Sequence, residues 1–206
     1  RSSATSHMFF TPNNPGYIEG KVSVADRNIT FDDEFYFTNE LAKEGRVVIV
    51  NGESGEPSTE KVFQTEPFYT VETCSEFSFN KRLLNSADLL ILNGINELPS
   101  GLIADISSFL RQGGSVFCIP GSDINYADYT QMLKSVGLSG YTGKVTTGNQ
   151  LSDISYASSF FNGMFDKQQK TLNVPLLKSV YSLKNFRQAN AEVLLTLRNQ
   201  HPLMVS

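Results

Sequence analysis

The chain has 206 residues, enough for one ordinary domain with a sizeable core, and is 40% hydrophobic and 18% charged with a formal net charge of -4. That balance, without a run of like charges, excludes a nucleic-acid footprint, and no apolar stretch approaches the ~20 residues of a transmembrane helix. Two cysteines, Cys74 and Cys118, are too few for a disulfide framework.

Residues 1–8, "RSSATSHM", are polar and read as an expression-tag residue, so His7 is foreign and His201 is the native histidine. Residues 9–43 alternate apolar and polar positions over "KVSV" and "FDDEFYFT", with Asp26, Arg27 and Asn28 between them as turn material. This predicts a β-strand pair, the remnant or edge of an upstream β-sandwich, because a lone two-stranded unit is marginal in water.

From Gly45 the pattern changes to alternating strands and helices. "RVVIVNG" (46–52), "ADLLILNG" (87–94) and "SVFCI" (115–119) are apolar, β-branched runs of the kind buried in parallel sheets. A short helix limited by Pro67 is expected in 58–71, and "FSFN" (77–80) reads as an intervening strand. The clearest helix is "ELPSGLIADISSFLRQGG", where Leu102, Ile103, Ile106, Phe109 and Leu110 make one apolar stripe. Pro99 and Ser100 mark its start and Gly113 its left-handed end. A second helix places Tyr126, Tyr129, Met132, Leu133 and Val136 on one face and stops at Gly137. Beyond residue 140, Gly-, Ser- and Thr-rich segments predict loops with short strands. Two later strands follow in 172–184 and 191–205, the second turning at Asn199-Gln200. The chain ends inside an apolar segment, and the expectation is a truncated strand. Strands joined by helices predict an α/β fold with a doubly wound, mostly parallel sheet over 44–206.

In such sheets ligands bind outside the carboxyl ends of the strands. Here those ends are "NGESGEP", "NGINELP" and "PGSDIN". A nucleophile elbow needs its Ser or Cys at the apex of the strand-to-helix bend, but the apex here is Pro120-Gly121. Cys118 lies two residues earlier, inside an apolar run where a thiol serves as a small hydrophobe, and Ser122 lies past the bend, where it could cap the helix. A covalent mechanism also needs a base and a group that orients it. His201 precedes Pro202 without a following acid, so Ser122, Cys118 and His201 are weak catalytic candidates and a turn histidine is the preferred reading. The rim residues Glu53, Glu56, Asn96, Ser122, Asp123 and Asn125 make a candidate binding surface. Carboxylates at Glu53 and Asp123 could ligate a hard cation, but no calcium-loop spacing accompanies them and solvated loop charge is the simpler reading. "NGESGEP" has neither a Walker nor a dinucleotide pattern, and Glu53 and Glu56 would repel phosphate, so no cofactor is expected.

The order "EGKVSV…ITFDDEFYF…RVVIVNGESGEP…ADLLILNGINELPSGLIADISSFLRQGGSVFCIPGSDIN…YTQMLKSVGL" resembles the C-terminal part of the BatA-like, aerotolerance-type membrane proteins of Bacteroidetes and relatives. The resemblance covers about residues 17 to 140. It implies a flavodoxin-like, class I glutamine amidotransferase-like domain, extracytoplasmic (periplasmic) and held by membrane anchors elsewhere in the protein. Active amidotransferases place Cys at the elbow and a His-x-Glu pair late in the chain. Here the elbow reads Pro120-Gly121-Ser122, and His201 is followed by Pro202 and Leu203. The resemblance therefore implies a scaffold without that activity: an interaction domain whose partners are other envelope or membrane proteins, with no nucleic acid and no membrane contact by these residues. The rival expectations are a hydrolase using Ser122 with His201 or a metal at the Glu53/Asp123 rim, and a purely structural spacer.

Overall fold

The structure, a computed structural model, describes residues 16–24, 33–41, 44–146, 150–165, 176–184 and 191–206. The expected tag, the Asp26-Arg27-Asn28 turn and residues 172–175 lie outside them.

At the centre is a four-stranded parallel sheet: β3 (Gly45–Asn51), β4 (Tyr69–Ser75), β5 (Leu89–Ile95) and β6 (Ser115–Pro120), in the spatial order β4-β3-β5-β6. The two central strands are buried on both faces, which is why they read as unbroken apolar runs. Val47–Val50 and Leu90–Leu92 are each 0–3% exposed, and each such side chain contributes about 1.5–3 kcal/mol relative to an exposed one.

Three helices cover this sheet: α1 (Ser58–Gln64), α2 (Ser100–Arg111) and α3 (Tyr126–Ser135). From β3 the chain steps to one side through α1, then crosses back and proceeds in the opposite direction through α2. Crossovers of one hand running in opposite directions lie on opposite faces. Accordingly Phe63 of α1 packs with Val47, Ile49 and Ile91 on one face, while α2 and α3 cover Val48, Val50, Leu90 and Leu92 on the other. In α2 the expected stripe is buried at Leu102, Ile103, Ile106 and Phe109, and Gly113 ends the helix with φ +92°. In α3 only Tyr129, Met132 and Leu133 are buried; Tyr126 and Val136, expected on the same stripe, are exposed.

Three sequence expectations are corrected here. The intervening strand is β4, over "YTVETCS", while residues 77–80 follow it as a turn. Ser78 folds back on Ser75, its backbone N–H donating to Ser75 O at 3.0 Å and its hydroxyl accepting from Ser75 N at 3.1 Å. Strand β6 is an edge strand rather than a doubly buried one, which leaves Phe117 40% exposed. The cap of α3 is Asn125, whose Oδ1 accepts from Ala127 N and Asp128 N, and not Ser122.

The late strands do not join the parallel sheet. β7 (Tyr141–Val145) pairs antiparallel with β9 (Val180–Leu183); β10 (Val193–Leu197) pairs antiparallel with both β8 (Leu151–Ile154) and β11 (Pro202–Val205). The turn expected at Asn199-Gln200 lies between β10 and β11, with Gln200 at φ +66°. Tyr141, Tyr181, Leu183 and Val205 fasten this antiparallel layer to the α2–α3 side of the core.

Ahead of the sheet, β1 (Gly16–Ser23) and β2 (Glu34–Leu41) form a separate antiparallel ribbon, in register from Gly16↔Leu41 to Ser23↔Glu34. Its polar face carries the Lys21–Glu34 ion pair at 2.6 Å. No helix among the described residues is long and apolar enough to cross a membrane.

Candidate functional site

The strand order reverses between β3 and β5, so the loops after Asn51 and Ile95 flank the position where open α/β sheets take their ligands. In this chain those loops close on one another. Gly52 N donates to Asn93 O at 2.9 Å and Ser54 N to Gly94 O at 3.3 Å. Gly94 adopts φ +72°, and a methyl group there would overlap the Ser54–Gly55 backbone. The two Asn-Gly pairs read as turn marks in the sequence are thus the means by which two loops approach at backbone distance.

Beneath this seam lies Asn93, 1% exposed and one of two buried polar side chains among the described residues. Its Nδ2 donates to Asn51 Oδ1 at 2.7 Å and to Glu56 O at 3.1 Å; its Oδ1 accepts from Glu56 N at 3.2 Å. One amide thereby ties β3, β5 and the 52–56 loop, and each of its groups is paired as burial demands. Sequence reasoning passed over Asn93; the signal available was a polar residue ending two successive apolar strands, each time before Gly.

The bend after β6 is equally filled. Gly121 N donates to Ile95 O at 3.0 Å, and a Cβ at Gly121 would overlap Asn96 Oδ1. Asn96 accepts from Asp123 N through Oδ1 at 3.1 Å and from Asn125 N through its carbonyl at 2.8 Å. Both Asn96 and Asn125 of the expected rim therefore hold the bend in shape. Ser122, Asp123, Glu53 and Glu56 are exposed. Ser122 Oγ pairs with Ser54 Oγ at 2.8 Å, linking the first and third loops, and Lys144 Nζ donates to Ser122 O at 2.7 Å. Lys144 and Tyr181, whose hydroxyl donates to Gly121 O at 3.1 Å, were not expected at this rim; they arrive on β7 and β9 from the antiparallel layer.

The catalytic candidates are kept apart. Cys118 faces the α2–α3 core, where burial pushes its thiol up to about 12, only partly opposed by the Tyr129 hydroxyl. A thiol so shifted offers almost no thiolate at neutral pH. The Tyr129 hydroxyl donates to Ile95 O at 2.7 Å, and burial drives its own ionisation further upward. His201 lies after the β10–β11 turn, and its Nδ1 is 3.1 Å from Ser182 Oγ. The hydroxyl it meets is that of Ser182, and Ser122 takes Ser54 instead.

Acidic side chains collect around this end of the sheet. Glu76 titrates above the ordinary carboxylate range because of partial burial first and then the charges of Glu53 and Glu97, with the Glu53 backbone N–H pulling the other way. Among the described residues no group of three or more His, Cys, Asp or Glu is placed to hold a metal ion. The arrangement can present charge and hydrogen-bonding groups to a partner; among the described residues the Ser122 hydroxyl at the switch point is paired with Ser54 and not with a histidine. No protein-family model matches the chain and no curated protein matches it in sequence, so these contacts carry the functional argument alone.

Proposed function

We propose that this chain is an amidotransferase-like interaction domain, non-catalytic at its strand-end cleft, of a membrane-anchored bacterial envelope protein, facing the periplasm and binding another envelope protein through its strand-end rim. The observation that carries the reading is the closed switch point. Backbone contacts through Gly52, Gly94 and Gly121 occupy the crevice in which a flavodoxin-like enzyme would seat its substrate. The strand order β4-β3-β5-β6, with α1 on one face and α2 and α3 on the other, supports the flavodoxin-like assignment. Exposed Glu53, Glu56, Ser122 and Asp123 then form the outer surface of that plug, where a partner bearing basic and hydrogen-bonding groups would dock.

Site-specific photo-crosslinking in the intact membrane protein tests this. A photoreactive residue at Asp123 should capture a discrete envelope protein, and one at Lys134, on the last turn of α3, should not. Glutaminase or esterase turnover by the purified chain, abolished by Cys118→Ala or Ser122→Ala, would overturn the reading.

A further inference from the structure

Apart from the rim, the antiparallel layer brings a hydroxyl and an imidazole together. Ser182 stands directly opposite Gly143 in the β7–β9 register, so their substituents share one face of that sheet. Its neighbours Tyr181 and Leu183 pack into the α2–α3 core, which turns Ser182 to the opposite face, where His201 meets it. The backbones on both sides are fixed. Thr142 Oγ1 donates to Ser182 O at 3.2 Å; His201 N donates to Asn199 Oδ1 at 3.2 Å, and His201 O accepts from Leu197 N at 2.9 Å. Gln200, just before His201, sits at φ +66°, a left-handed conformation uncommon outside glycine and a form of local strain that gathers at functional positions. Beside Ser182, a Cβ built on Gly143 would meet nothing within 4 Å, so the shared face is open next to the hydroxyl.

We propose that Ser182 is a nucleophile activated by His201, and that the pair accepts the acyl group of small, activated carboxylic esters. The Ser182 Oγ–H bond breaks as Oγ bonds to the acyl carbon, and the proton passes to His201 Nδ1. The ester C–O bond then breaks, and the departing alkoxide takes that proton to leave as an alcohol. Water, delivered through the same imidazole, can afterwards hydrolyse the Ser182 ester to a carboxylic acid and restore the hydroxyl. The opening over Gly143 suits a short acyl chain, since Val145 and Val180 are the next residues on that face. The acyl adduct on Ser182 is the product to look for, because it forms before any hydrolysis step and marks the nucleophile directly.

The test is incubation of the full chain with p-nitrophenyl acetate, with the acetylated residue located by peptide mass spectrometry. Acetyl should accumulate on Ser182 in the native protein, faster than on the same residue in the urea-unfolded chain, where His201 is no longer adjacent. Ser182→Ala should carry none at that position. His201→Gly should slow the adduct about 100-fold or more, and added imidazole should restore it, a response that a purely structural histidine would not give. Absence of the Ser182 adduct in the native chain, a rate equal to that of the unfolded chain, or an undiminished rate in folded His201→Gly would each overturn the assignment. None of these outcomes bears on the rim, whose test is the crosslink from Asp123.

Discussion

Asn93 Nδ2 donates to Asn51 Oδ1 at 2.7 Å, so two residues in register near the carboxyl ends of adjacent parallel strands are joined side chain to side chain at the point where the strand order reverses. The same amide holds Glu56 through both its N–H and its carbonyl. The bond lies under the rim and controls its shape.

Replacing Asn93 with Ala removes these partners and leaves the Glu56 amide and Asn51 Oδ1 without theirs. A buried group left unsatisfied costs about 1–3 kcal/mol; these contacts are part-buried, so Asn93→Ala should lower the unfolding free energy by an amount towards the low end of that range in a denaturant titration. Hydrogen exchange at the Glu56 amide should accelerate by more than exchange in α2. An Asn93→Ala variant as stable as the parent would show that the amide network is not what closes the loop.

Gly94→Ala tests the backbone approach itself. Its φ of +72° disfavours a side chain, and the added methyl overlaps Ser54 and Gly55. Conformational strain alone costs about 1–2 kcal/mol, so a loss above 2 kcal/mol is expected once the loop is displaced. Protease cleavage within residues 52–57 should rise in parallel. As a control, Gly101→Ala in α2, where a Cβ meets nothing within 4 Å, should be neutral or slightly stabilising.

The half-buried Cys118 thiol predicts alkaline weakening. The core around it raises it from an ordinary 9.0 to about 12. Below pH 9 both states hold the proton and there is no effect. From pH 9 towards 12 the unfolded state ionises while the native state does not, and one such group removes about 1.4 kcal/mol per pH unit. Burial shifts Tyr129 and Tyr141 in the same direction, so Cys118→Ala should reduce the slope without abolishing it. Unfolding free energies collected across that window provide the check, and a slope unchanged by Cys118→Ala would contradict it.

Glu76 behaves with the same sign in acid. Its native value is raised above the reference 4.5, so ionised Glu76 destabilises the native state at neutral pH. That penalty diminishes as pH falls through the raised value and is gone below 4.5, where both states are protonated. Glu76→Gln should therefore raise the melting temperature slightly at pH 7 and leave it unchanged below pH 4.5. A loss of stability at pH 7 would mean that Glu76 has a favourable partner outweighing Glu53 and Glu97.

Sequence patterning alone determined the parallel core. Val47–Val50 and Leu90–Leu92 need apolar neighbours on both faces, and the stripe from Leu102 to Phe109 needs a helix to lie on one side, so period and run length dictated β3, β5 and α2. The position of the bend at Pro120-Gly121 was equally legible, because a strand-to-helix turn is local. Tertiary structure decided everything that depended on which distant segments meet. "FSFN" reads as the intervening strand in sequence, but it is "YTVETCS" that pairs with β3. Ser122 and His201 are plausible partners in sequence, yet the antiparallel layer carries His201 to Ser182 and the closing of two loops gives Ser122 to Ser54. Periodicity records which side of an element is buried, but it carries no information about which polar atoms the packing of separate elements will bring within hydrogen-bonding distance.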